Sequence, residues 1–402
     1  SATIFLQQLG RGLRRTPTKA VLTVLDFVGL QNKHFSWDRK LRALTGLTRR
    51  GVQREIDRGF PFLPAGCQIV MDRESQRIIL DNLKDQIASR WAPMVAELRS
   101  YGDQDLATFL DESGLELADI LRRGSRSWTQ LRREAGLPTL TGAEQEARLL
   151  KRVRALAHVD DVARARGYEQ ILGDDAPAYG DLSDAERRLA DMLFFSLWPD
   201  GGGFDTVAEG LVALRRERAA LAEFSSVVDI AFSGARRVTF DLAGKLAEVP
   251  LKVHARYQRE EVLSALGYAS MARKPNSFRE GVLYAPEPNV DAFFVNLKKS
   301  DAEFSPTTMY RDYPISPSLF HWESQSTTTT TSPTGQRYLS GSSSVLIFVR
   351  EEKENEFGTS PYLFLGPATY VSHQGERPIS ITWKLQHAMP TDFFHLATVA
   401  AQ

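Results

Sequence analysis

Near residue 275 the periodicity of the chain changes, and this change constrains the fold more than any other feature of the sequence. Upstream, from about residue 36 to 266, apolar residues recur at the three-to-four spacing of helices, as in 37–44, 49–58, 75–87 and 90–99. A short strand is expected at 68–71. Downstream, β-branched and aromatic segments at 281–284, 291–297, 318–323, 345–350, 362–365, 369–372 and 380–385 are separated by proline, glycine and serine. Helices followed by a run of strands, without regular alternation, specify an α+β chain whose sheet lies at the C-terminal end. A length of 402 residues leaves room for two or three domains, and one boundary is expected at 275/276.

The first residues carry a different signature. Ile4, Phe5, Leu9 and Leu13 recur at helical spacing, and 19–28 (Lys-Ala-Val-Leu-Thr-Val-Leu-Asp-Phe-Val) is a continuous apolar run of the kind buried on both faces of a parallel sheet. The first helix contains Gln7, Gly10, Arg11 and Arg14 as Gln-x-x-Gly-Arg-x-x-Arg. Two arginines three apart share one helical face and can reach one phosphate, although arginines at a helix end also answer the macrodipole. The segment resembles motif VI of superfamily 2 helicases. That resemblance implies that residues 1–32 end a RecA-like α/β domain, with Arg11 and Arg14 catalytic at the γ-phosphate and Gln7 and Gly10 in the same ATP motif. No Gly-x-x-x-x-Gly-Lys-Ser/Thr segment occurs, so the phosphate cradle is expected upstream of this chain. ATP and Mg are then cofactors of a longer protein, and this chain alone should not hydrolyse ATP.

Residues 33–275 read as a mainly helical middle. Three short helices at 103–110, 115–121 and 127–135, separated by Ser113-Gly114 and Arg123-Gly124-Ser125, have the layout of a helix-turn-helix unit spanning 103–136. Arg122, Arg123, Arg126, Arg132 and Arg133 crowd it, as DNA phosphate contacts or as a solvated surface. Longer helices are expected at 143–157, 183–197 and 206–224. His254 reads as structural because no second ligand lies one turn away. Lysine plus arginine balance aspartate plus glutamate at 50 each, so any nucleic-acid surface must be local. The lone Cys67 can form neither an internal disulfide nor a cysteine-based zinc site. No apolar run long enough to span a bilayer and no signal pattern is present, and a cytoplasmic protein is expected.

The last 127 residues, 276–402, resemble the uncharacterised C-terminal domain that follows helicases in bacterial restriction and defence proteins. The resemblance rests on residues 304–316, 319–326, 332–338 and 370–375. In SauUSI-like type IV restriction enzymes such a domain is SRA-like, a curled β-sheet that recognises modified cytosine, and follows nuclease and helicase domains. It implies a target-recognition domain for double-stranded modified DNA in an antiviral defence system, with upstream helicase and nuclease domains as partners. The residues offer chemistry of that kind. Extruding a base requires aromatic surfaces and polar groups for its edge; Tyr310, Asp312 and Tyr313 provide both, and a carboxylate can accept from a cytosine amino group. Phe320 and Trp322 alternate along one strand face as further candidates for the pocket or as core, and Arg337 is a phosphate or base contact or an exposed turn residue. The Ser/Thr-rich stretch 324–332, running into Pro333-Thr-Gly335, is expected to be a loop. Two other readings stand beside this one: a metal-dependent nuclease around Glu351-Glu352-Lys353, and a module that binds protein or RNA.

Overall fold

The computed structural model describes residues 23–25, 41, 45, 52, 55–56, 60, 68–87, 91–113, 115–121, 126–298 and 312–400. Gln7, Gly10, Arg11, Arg14, Cys67, Arg122, Arg123 and Tyr310 lie outside the described residues. The fold is mixed α and β, and the chain divides into two compact units, Ser1–Asp119 and Ile120–Gln402. No described helix is long and apolar enough to cross a membrane.

The first unit contains helices α1 (Arg73–Ile87), α2 (Trp91–Tyr101) and α3 (Leu106–Ser113), with α4 (Leu117–Ile120) at the division. Leu41, Val52, Ile56, Phe60 and Ile79 form its described core. Residues 68–72 are irregular rather than a strand. Asp72 diverts them into α1 by capping it, its carboxylate accepting the N–H groups of Glu74 and Ser75 at 3.0 and 2.9 Å. The expected buried strand at 19–28 is not seen in its described part. Residues 23–25 have no regular structure, and Val24 and Leu25 are 51% and 79% exposed. An apolar run becomes a buried strand only where neighbours cover both faces.

In the second unit come α5 (Trp128–Ala135), α6 (Glu146–Leu150), α7 (Val162–Leu172), α8 (Asp184–Leu197), α9 (Val207–Leu214), α10 (Arg218–Ser233) and α11 (Arg259–Ala265). Where one helix was expected at 206–224 there are two, and Glu217 explains the break. Its buried carboxylate accepts from the N–H groups of Ala143 and Gln145 at 2.6 and 2.7 Å, anchoring the entry to α6. Further along α10, buried Glu223 accepts from Trp128 and Thr129 at 2.7 and 2.9 Å and so anchors the N-terminus of α5. A buried ionic network then ties α7 to α11. The fully buried Arg164 lies 3.0 Å from Glu261 and 3.1 Å from Asp161, with Tyr168 and His158 also on Glu261 at 2.9 and 2.6 Å.

Among the described residues from 256 onward there are ten strands: β1 (Arg256–Tyr257), β2 (Val282–Ala285), β3 (Val290–Asn296), β4 (Tyr313–Ser316), β5 (Leu319–Glu323), β6 (Ser344–Arg350), β7 (Glu354–Asn355), β8 (Gly358–Thr359), β9 (Tyr362–Gln374) and β10 (Ser380–Leu385). Helices α12 (Pro333–Ser340) and α13 (Thr391–Ala400) accompany them. β7 and β8 pair with each other; the rest form an eight-stranded sheet in the order β2-β3-β6-β9-β10-β5-β4, with β1 added on β9. β3 and β6 are parallel and the other pairs antiparallel. β1 and α11, which precede the change of periodicity near 275, belong to the same compact unit as the sheet.

The sheet curls. Phe293 of β3 and Trp322 of β5 lie four strands apart in the sheet order, yet their rings stack at 4.0 Å and 10° across the interior. Val295, Ile347, Val349, Phe320, Ile381 and Trp383 complete this inner core. On the outer face, Phe294, Phe348 and Phe364 stack across β3, β6 and β9 at 5.5 and 4.5 Å, and Tyr257 of β1 packs on Phe364. These strands are buried on both faces, hence their nearly unbroken apolar sequence. β5 and β10 alternate instead, because their outer face carries His321, Glu323, Thr382 and Lys384. Among the described residues, β2 and β4 stand at the two ends of the strand order and form its free edges.

Candidate nucleic-acid interface

The first edge is built around a buried carboxylate. Asp291 shares the inner face of β3 with Phe293 and Val295 and is fully buried. A carboxylate there needs donors, and three arrive. Arg337 Nε and Nη2 donate to its two oxygens at 2.7 and 2.8 Å, and Ser343 Oγ donates as well. The guanidinium, its pKa raised by these bonds, lies 3.8 Å from the centroid of Tyr284 and 5.7 Å from that of Tyr338. Tyr284, on edge strand β2, is 40% exposed. Its hydroxyl donates to Asn289 Oδ1 at 3.1 Å, and Asn289 Nδ2 donates to the Ser342 carbonyl at 2.8 Å. The ring is thus held from its hydroxyl and from one face.

Helix α12 brings Arg337 to this place; residues 324–332 are a loop, as their polarity suggests, and the helix begins at Pro333. Ser332 caps α12, accepting from Gly335 N at 3.1 Å and donating to the Thr329 carbonyl at 2.7 Å, with Pro333 in the first turn. Thr328 is buried, and Thr330 bonds to Glu376. Tyr338, one residue beyond Arg337, packs 5.3 Å from Phe293 and 5.6 Å from Trp322, so α12 stands between the two walls of the curl.

The second edge is β4. Asp312 Oδ1 accepts the N–H of Glu323 at 3.0 Å. Tyr313 is 37% exposed and stacks on His321 at 4.6 Å and 26°. Burial lowers the pKa of His321, against the opposing charges of Glu323 and Asp312. The register continues this outer row from Tyr313 and His321 to Thr382 and Ser372.

The remaining sequence candidates take these places. Phe320 and Trp322 take the core alternative, at 0% and 5% exposure; the polar partners on their strand, His321 and Glu323, hold the outer face. Arg337 is not an exposed turn residue but a helical one bound to Asp291. The unit expected at 103–136 is crossed by the division at Asp119/Ile120. Within it, Arg133 makes a two-pronged ion pair with Glu146 at 2.6 and 3.0 Å and also bonds Thr139 and the Leu140 carbonyl. Arg132 donates to the Pro138 carbonyl at 2.8 Å, and Arg126 is partly buried. Glu351 and Glu352 are both held by Lys298, at 2.6 and 2.8 Å. Among the described residues no group of three or more His, Cys, Asp or Glu side chains is arranged to hold a metal. His254 does have a second imidazole nearby, His387, 133 residues later: both rings pack against Phe240, and the two are 6.3 Å apart.

Residues 251–397 match a family model described as a domain of unknown function (DUF3427). The match starts at Leu251, ahead of β1, and ends within α13, so it takes in the whole curled sheet, α11 and both edges of the candidate site. No curated protein matches the chain. Asp291, Tyr284 and Ser343 were not singled out from sequence. For Asp291 a signal existed: it is the one charged residue in the apolar stretch Val290-Asp-Ala-Phe-Phe-Val295.

Proposed function

We propose that residues 251–402 read a modified cytosine in duplex DNA as the target-recognition part of an ATP-driven, SauUSI-like type IV restriction enzyme. The observation that carries this reading is the pairing of an exposed tyrosine with a neighbouring carboxylate at a free edge of the curl. Tyr313 supplies a stacking surface, and Asp312, one residue away, supplies a carboxylate whose Oδ1 accepts from Glu323. A flipped cytosine presents a π-face and an amino donor, and these two side chains answer both. Tyr310 extends the same aromatic segment. The SRA-like character of the sheet and the role of the chain in antiviral defence belong to the same proposal.

In the longer protein, Arg11 and Arg14, with Gln7 and Gly10, would supply the arginine side of an ATP site, where bound nucleotide and Mg supply phosphate and charge. The rest of that site, and the nuclease, would come from upstream domains.

The test is a titration of the chain with duplexes that differ only in methylation or hydroxymethylation of one cytosine. The reading expects tighter binding to the modified duplex. Tyr313→Ala and Asp312→Ala should each lower that affinity about tenfold, the scale of one lost stacking or base-edge contact, and leave the unmodified duplex nearly unchanged. Equal losses on both duplexes would place the contact on the backbone instead. Binding that ignores the modification would favour a protein- or RNA-binding module.

A further inference from the structure

We infer that the exposed ring of Tyr284 is a stacking platform for an unpaired purine base, distinct from the Asp312–Tyr313 reader. The Tyr284 ring is 40% exposed on edge strand β2, so a ligand can reach it. The Arg337 guanidinium carbon lies over it, 3.8 Å from the ring centroid. Arg337 is itself immobilised by two bonds to the buried Asp291, which Ser343 also contacts, and the Tyr284 hydroxyl is tied to Asn289. Side-chain freedom that a ligand would otherwise have to remove is already gone.

The chemistry also selects an occupant. A cation against one face of the ring draws its electron density and leaves the free face electron-poor. Such a face attracts an electron-rich π-surface more than an aliphatic side chain, and among bases the purines offer the largest one. A base at this edge must be unpaired, because a duplex presents its bases edge-on and not by their faces. Such a base becomes available when a neighbouring nucleotide is extruded. The inference therefore rests on the nucleic-acid reading proposed above and adds a second contact to it, on the opposite free edge of the curl.

The full chain is titrated with a single-stranded pyrimidine oligonucleotide carrying one 2-aminopurine, whose fluorescence falls on stacking. Wild type, Tyr284→Phe and Tyr284→Trp should bind and quench. Tyr284→Ala should lose the quenching and bind about tenfold more weakly, with its fold retained as checked by circular dichroism. Replacing the 2-aminopurine by an abasic residue should weaken the wild type to the level of Tyr284→Ala. Quenching retained by Tyr284→Ala, or absent in the wild type, overturns the platform. Duplexes with and without cytosine methylation, tested in parallel, separate the two claims. Equal wild-type affinity for them sinks the modified-cytosine reading alone, whereas the platform stands or falls on the 2-aminopurine signal.

Discussion

The charged side chains inside this protein differ in how fully they are compensated. Glu261 is fully buried. Burial alone would raise its pKa, but Arg164 and His158 outweigh it and hold the carboxyl at about 2. Asp191 on α8 is the opposite case. Burial raises it to about 6, and one bond from the Tyr179 hydroxyl, at 2.8 Å, offsets this only in part. A carboxyl whose folded pKa is above its unfolded value of 3.8 favours the folded state while protonated. That contribution is lost as pH rises from about 4 to 6, and above pH 6 the buried charge is a standing cost. Asp191→Asn, which still accepts from Tyr179, should therefore stabilise the protein at pH 8 by about 1–2 kcal/mol, allowing for the water that reaches the group. At pH 3.5 it should change little. Melting temperatures of the two proteins at both pH values check this, and an equal gain at both would mean that packing, not charge, is responsible.

At the scale of elements, the strands were legible because burial on one face or on two leaves different patterns. The near-continuous apolar β3 and β6 are covered on both faces, and the alternating β5 and β10 on one. What stayed hidden was set by contacts distant in sequence. Nothing within residues 206–224 says that Glu217 will be drawn away to Ala143 and Gln145 and break the helix. The cap of α12 was readable in Ser332-Pro333, but the polarity of 324–332 masked it, and Phe320 and Trp322 face inward because the curl sets β5 against β3. Asp312, Tyr313 and Arg337 were visible as reactive types; that Arg337 serves Asp291 and Tyr284 was not. Glu223 gives an element-scale prediction. Glu223→Ala leaves the buried N–H groups of Trp128 and Thr129 without their acceptor and should cost about 2–3 kcal/mol. Urea unfolding measures it, and a loss under about 0.5 kcal/mol would show that α5 is not anchored this way.

For the whole molecule, the neutral charge balance has a consequence for binding. With 50 basic and 50 acidic side chains, and with Arg132 and Arg133 engaged within the fold, a general electrostatic grip on DNA should be weak. On the proposed reading, specificity comes from contacts to the base at the edges of the curled sheet. Phosphate contacts weaken steeply with salt, whereas stacking and base-edge bonds do so far less. The most direct measurement is the ratio of dissociation constants for unmodified and cytosine-modified duplexes, taken for the full chain at two salt concentrations. The account predicts a ratio of about ten or more that holds as salt rises fourfold, while both affinities fall. A ratio near one at both concentrations, or one that collapses with added salt, would contradict it.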